Sequence, residues 1–345
     1  MKRGFMDRNG ELLPADLLRK RQEVFISGFK EYDLEAAVIY GDVASADELQ
    51  YLTNLGPYWS NATAIIDKNG NVKFVTGLSA RVDPWVAMIS GVDQSDVLAA
   101  GPNLNTKVAA VLKEQLGGRG KIGITGVYFP QEMADALEAA GFTPVFYQQT
   151  IAEQLKVRDE AYRKTLTRGI ELMNAAVATV LKNPEIGKMS RKNITADVEY
   201  ACRSAGAMDI LILNGDKFLN FGKAEDVAEG SDPWTLYIQL QYLGEWFVIA
   251  RNMKAECSSE AKLVRDRVIR KLKPGARPLT WTEKDYKFAL CDQVRSDHVC
   301  YWNEGETEID AGQILSLRVI NKEKGIYIED MVRITSDGAV LLTDI

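Results

Sequence analysis

Near the end of the chain two runs of alternating apolar and polar residues, Ile314-Leu-Ser-Leu-Arg-Val-Ile320 and Gly325-Ile-Tyr-Ile-Glu-Asp-Met-Val-Arg-Ile-Thr335, flank the turn-prone Asn321-Lys-Glu-Lys-Gly325. Side chains of a strand alternate between its two faces, so a period of two on both arms predicts an antiparallel hairpin. A hairpin of this length commits the end of the chain to a sheet. It also poses a chemical question, because Arg318 sits in the middle of one arm and Glu329 in the middle of the other. In a half-buried hairpin such charges face either water or a site, and the pattern leaves both open.

A chain of 345 residues is long enough for two domains, each with its own core. Lys and Arg total 42 against 48 Asp and Glu, a formal charge of −6. That balance argues against a nucleic-acid or anionic-membrane surface. The opening Met1-Lys-Arg-Gly-Phe-Met-Asp7 lacks the apolar core of a signal peptide, and nowhere do eighteen apolar residues run together. The expectation is a soluble, cytoplasmic protein. Cys202, Cys257, Cys291 and Cys300 form no Cys-x-x-Cys pair, which suggests reduced, mostly buried thiols rather than a zinc site or disulfides. His298 is the single histidine, so any acid–base or metal scheme has one imidazole to use.

The apolar spacing predicts a helix from Pro14 to about Lys30, a buried strand at Ala36–Tyr40 and a short helix at Asp47–Leu52. Ala62–Ile66 and Val72–Thr76, joined by Asp67-Lys-Asn-Gly-Asn71, read as a hairpin, since Asn-Gly supplies the positive backbone angles of a tight turn. A helix at Leu104–Leu116, a strand at Lys121–Thr125 and a helix at Pro130–Ala140 complete an α/β first domain, residues 1–150, with a mixed sheet covered by helices. After the connector Ile151–Arg158 the organisation changes. Long helices at Asp159–Lys182 and Asn193–Ser204, the latter capped by Asn193, lead into strands at Met208–Leu213, Thr235–Leu243 and Glu245–Arg251. A helix at Ser258–Leu272, another around Glu283–Gln293, the patch His298–Trp302 and the closing hairpin follow. A curved antiparallel sheet backed by helices fits this second domain, residues 151–345.

The connector Leu155-Lys-Val-Arg-Asp-Glu-Ala161, the helix Ile194-Thr-Ala-Asp-Val-Glu199, the turn Leu213-Asn-Gly215, Glu229-Gly-Ser-Asp232 and above all the end, Gly325–Thr335 with Ser336-Asp-Gly338, resemble the creatinase, aminopeptidase P and prolidase superfamily. The resemblance implies an N-terminal creatinase-like α/β domain followed by a C-terminal domain of the pita-bread fold, α+β in class. In metal-dependent relatives two Asp, one His and two Glu hold two divalent metals. Set on that pattern, the first Asp falls on Gln239, the second on Ala250 or Val248, and the first Glu on Arg318, while Glu329 alone matches its ligand position. A guanidinium among the ligands repels a metal, so the resemblance implies no metal and no other cofactor. Creatinase itself uses a histidine as base, and that position falls on Gly222, with Phe218 and Phe221 nearby.

These departures disfavour an ordinary metal-dependent Xaa-Pro peptidase and leave two expectations. One is a metal-independent enzyme, a hydrolase or lyase, acting on a small zwitterionic, amide or guanidino substrate. In it Glu329 and His298 are the catalytic candidates, and Arg318, Gln239, Gln241, Tyr327, Phe221 and Trp246 the substrate-binding ones. Arg318 suits a carboxylate held through two hydrogen bonds, and a desolvated Glu329 suits a base. The other is a non-catalytic subunit, in which Arg318 and Glu329 pair only with each other and the chain assembles as a homodimer or with an active homologue.

Overall fold

The protein was analysed as a computed structural model, which describes residues 11–156, 159–222, 233–253, 255–277, 285–294, 299–301 and 308–343. The chain divides into two compact units at Leu155/Lys156.

The first unit is built on six strands: β1 (Leu34–Asp42), β2 (Asn61–Asp67), β3 (Val72–Thr76), β4 (Val97–Ala99), β5 (Lys121–Thr125) and β6 (Thr143–Phe146), in the spatial order β4-β3-β2-β1-β5-β6. β1, β2 and β3 pair antiparallel, whereas β4, β5 and β6 join in parallel. The sheet is therefore mixed, as expected. Alternation along β1 divides its side chains between two cores. Ala37 and Ile39 pack with Phe25, Leu52, Val86 and Ile151 on one face, and Ala36 and Val38 with Val108, Leu112 and Leu137 on the other. The β2–β3 turn forms as the Asn-Gly pair requires, with Gly70 at φ 86° and Asp67 Oδ1 accepting from the Asn69 and Asn71 amides at 2.8 and 3.0 Å. The helix over Leu104–Leu116 and the strand over Lys121–Thr125 stand where the pattern put them.

The second unit carries β7 (Asp209–Gly215), β8 (Phe221–Gly222), β9 (Thr235–Tyr242), β10 (Glu245–Asn252), β11 (Lys287–Val294), β12 (Val299–Tyr301), β13 (Ile314–Asn321), β14 (Ile326–Thr335) and β15 (Gly338–Leu341). Their order is β12-β11-β13-β14-β10-β9-β7-β8, with β15 also on β14, and every pairing is antiparallel. The helices Glu160–Leu181 and Arg191–Ser204 cover β9 and β10 through Ile170, Val177, Ile194 and Val198, packed with Leu236, Ile238 and Phe247. The helix Ala255–Ile269 covers β13 and β14 through Val264 and Val268, packed with Leu317, Val319 and Ile328.

Two expectations are corrected. The helix expected around Glu283–Gln293 is instead strand β11, paired with β13 from Lys287↔Ile320 to Cys291↔Ser316. Phe288 and Leu290 pack with the Val264 cluster while Cys291 joins the Tyr327 cluster, a period of two that the short run had hidden. The helix expected from Asn193 begins at Arg191, capped by Ser190, whose Oγ accepts from the Asn193 amide at 3.3 Å.

Candidate functional site

The hairpin β13–β14 brings Arg318 directly opposite Glu329. Alternation sets Ser316 and Arg318 on one face of β13 and Tyr327 and Glu329 on the same face of β14, so four polar side chains converge. Glu329 is fully buried, and its carboxylate is surrounded by donors. Oε1 accepts from Ser316 Oγ, and Oε2 accepts from the Tyr327 hydroxyl at 2.6 Å and from Arg318 Nε at 3.3 Å. The Arg318 guanidinium lies 5.1 Å from the centroid of the Tyr327 ring, a cation–π contact that adds to the ion pair. Burial is the largest single influence on Arg318 and works against its charge, yet Glu329 together with Tyr327 and Tyr237 holds the guanidinium above its ordinary pKa.

The aromatic wall comes from the neighbouring strands. Phe221 meets the Tyr327 ring edge-on at 5.1 Å and the Tyr237 ring at 6.0 Å. Its position follows from the preceding turn, where Asp216 Oδ1 accepts from the Phe218 and Asn220 amides at 2.8 and 2.9 Å. Tyr237 reaches Gln239 Oε1 with its hydroxyl at 3.4 Å. Burial first and the nearby Glu329 carboxylate second push the Tyr237 and Tyr327 hydroxyls far above the usual tyrosine range. Both are hydrogen-bond donors at neutral pH and cannot serve there as anionic bases.

Of the residues singled out in the sequence, Arg318, Glu329, Tyr327 and Phe221 thus come together, with Gln239 joined to them through Tyr237. Gln241 and Trp246 oppose one another at the turn end of β9–β10, where Gln241 Nε2 donates to the Gly244 carbonyl at 3.4 Å. They share the face but stand at the hairpin's end. His298 lies outside the described residues. Ser316 and Tyr237 were missed as site members, although each stands two residues from a named one, at the spacing that shares a strand face. Also missed was Asp330, fully buried on the opposite face.

Solved structures with this architecture are numerous. An Xaa-Pro dipeptidase from Bacillus anthracis is 17% identical with a TM-score of 0.72, covering 95% of this chain and 98% of its own. An X-Pro aminopeptidase from Thermotoga maritima is 16% identical with a TM-score of 0.73, covering 94% and 98%. A prolidase from Pyrococcus furiosus is 16% identical with a TM-score of 0.71, covering 94% and 99%. The chain has the pita-bread fold. No protein-family model and no curated protein matches the sequence, so the likeness is one of fold.

Within the pita-bread sheet the register decides which residue faces Glu329 from β10. It is Ala250, while Val248 opposes Gln239. Around the Glu329 carboxylate therefore stand the Arg318 guanidinium and the Ala250 methyl group, with the Gln239 amide one step away through Tyr237. Among the described residues no group of three or more His, Cys, Asp and Glu side chains converges. A dinuclear metal centre does not fit this donor set, because the one carboxylate, Glu329, is already engaged by the Arg318 cation and two hydroxyl donors. No helix among the described residues is long and apolar enough to cross a membrane.

Proposed function

We propose that this chain works as a metal-independent pita-bread protein that holds a small amino-acid-like, amide or guanidino ligand. The ligand's carboxylate is anchored on Arg318, and carbon–nitrogen hydrolysis or elimination is the reaction class the fold suits. One observation carries the reading: the two charges of the pair differ in access. Glu329 has no exposed surface, whereas the Arg318 side chain keeps 21% of its own. A carboxylate arriving from solvent meets the guanidinium first, and a planar guanidinium suits bidentate binding. Phe221, 38% exposed, offers apolar surface to the rest of the ligand. In this scheme Glu329, held by Tyr327, orients Arg318 and is the candidate base, and the protonated Tyr237 hydroxyl is a candidate donor to charge developing on a carbonyl oxygen.

A second reading, a non-catalytic subunit of an assembly with an active homologue, is favoured by a different observation. Ser316, Arg318 and Tyr327 all come from the hairpin that carries Glu329, so the carboxylate is satisfied without any ligand.

Thermal unfolding of the purified chain with glycine, L-proline, guanidinoacetate and Xaa-Pro dipeptides separates the two. Ligand at a hundredfold its Kd stabilises by about 2.7 kcal/mol. Such a shift, abolished in Arg318→Ala, is the expected result. A chain that responds to none of these and co-purifies with a metal-bearing homologue supports the second reading instead. Xaa-Pro hydrolysis that depends on two bound manganese ions per chain overturns both.

A further inference from the structure

β10 and β14 are joined, among the described residues, by a single registered pair, and that pair is Ala250↔Glu329. The β13–β14 ladder holds Glu329 opposite Arg318, and this single crossing is what sets that carboxylate against β10. The next residue of each strand faces the opposite side of the sheet, and there the crossing is clamped. Arg251 Nη1 donates to the carbonyls of Ala250 at 2.9 Å and of Glu329 at 3.1 Å. Its Nη2 donates to Asp330 Oδ1 at 2.6 Å and to the Thr343 carbonyl at 3.3 Å. Asp330 also accepts from the Thr343 hydroxyl at 2.7 Å and, on Oδ2, from Arg265 Nη1 at 3.0 Å. Arg265 belongs to the helix Ala255–Ile269 and pairs in addition with Asp266. Two buried guanidinium groups thus share the buried Asp330 carboxylate, and Arg265 takes a second, partly exposed one, Asp266.

We infer that Arg251 is a positioning residue for the Arg318–Glu329 pair. By bridging both carbonyls of the one pair that joins β10 to β14, and by holding Asp330, it fixes the carboxylate that orients the Arg318 guanidinium. A point-like ammonium cannot make the same fork, whereas it can still neutralise Asp330. The inference rests on reading that pair as the ligand-holding site, but its test needs no ligand and so fails independently of the proposed function.

The readout is solvent exchange of the Arg318 Nε–H, observed by nitrogen-15 NMR in the full-length deuterated protein and assigned by its loss in Arg318→Lys. In the parent chain that hydrogen lies on the Glu329 carboxylate. Arg251→Lys is expected to speed its exchange about tenfold, the factor that ~1.4 kcal/mol of lost hydrogen bonding represents. Arg265→Lys, which loosens Asp330 from the helix side, is expected to lower Tm while leaving that exchange within about twofold. Unchanged exchange in Arg251→Lys, or equal acceleration in both variants, overturns the inference. If Arg251→Lys does not fold, Asp330→Asn gives the same reading, because it frees the guanidinium from its charged partner. Acceleration there supports the clamp, and no change overturns it.

Discussion

At the scale of single residues, the site depends on how one buried carboxylate is satisfied. Glu329 takes three side-chain donors from two adjacent strands, and their chemistry differs: Ser316 and Tyr327 give neutral O–H groups and Arg318 gives the charge. The tyrosine leads to a prediction about alkaline pH. Its folded-state pKa is raised above the ordinary 10.0 by burial and by Glu329. A group whose folded pKa is raised contributes stability that is full below its unfolded pKa and is lost as pH rises above it. Stability should therefore hold through neutral pH and fall from about pH 10 upward, read as a declining urea midpoint. Tyr237, shifted the same way by burial and by Glu329, adds to that slope. Tyr327→Phe should lower the midpoint at pH 8 by loss of the Glu329 hydrogen bond yet flatten the alkaline decline; an unchanged decline would show that Tyr327 does not carry it. Burial likewise pushes the Cys202 thiol up to about 12, and among the described residues Cys202 and Cys291 are buried thiols, as the sequence led us to expect of most of the cysteines.

At the scale of elements, the hairpin turn and the loop before β8 depend on each other. Gly325 adopts φ 63°, and a Cβ at that position would lie 2.6 Å from the Lys217 carbonyl. The turn is further tied to β10, since Asn252 Nδ2 donates to the Gly325 carbonyl at 2.9 Å. Gly325→Ala therefore meets both left-handed backbone strain and a backbone clash, and should cost about 2–3 kcal/mol in urea unfolding. Gly101→Ala is the control: φ is 55° but nothing lies within 4 Å of the added carbon, so about 1 kcal/mol is expected from strain alone. Equal costs at both positions would remove the clash from the account. The element missed most plainly from the sequence was β11. Lys287–Val294 is short enough for both periods to fit, and only its pairing with β13 shows which side chains are buried. The strands β4 and β6 and the helix Asp83–Ser90 were not anticipated either, the two strands being only three and four residues long.

At the scale of the whole molecule, each unit closes its own core. The two clusters around β1 draw on no residue beyond Leu155, and those around β9, β10, β13 and β14 on none before Tyr162. Residues 1–155 expressed alone should accordingly unfold in one cooperative transition, monitored by circular dichroism in urea. A non-cooperative, gradual loss of signal would show that the first unit needs the second. By itself the sequence determined most of the longer elements, the mixed sheet followed by an antiparallel one, and the placing of Arg318 and Glu329 on the two arms of one hairpin, because strand period and turn chemistry are local properties. It left open which residue of the Glu245–Arg251 run faces Glu329. Tertiary structure puts Ala250 there and sets Val248 opposite Gln239, since strand register is set by partners far apart in the chain. It also revealed what no local pattern contains. Arg251, Arg265, Asp330 and Thr343 come from separate segments, and they become one buried network only when the sheet, the helix and the terminal segment close on each other. The two charges of the hairpin do hold each other, with the carboxylate enclosed and the Arg318 side chain still partly exposed, and that asymmetry is a property of packing rather than of sequence.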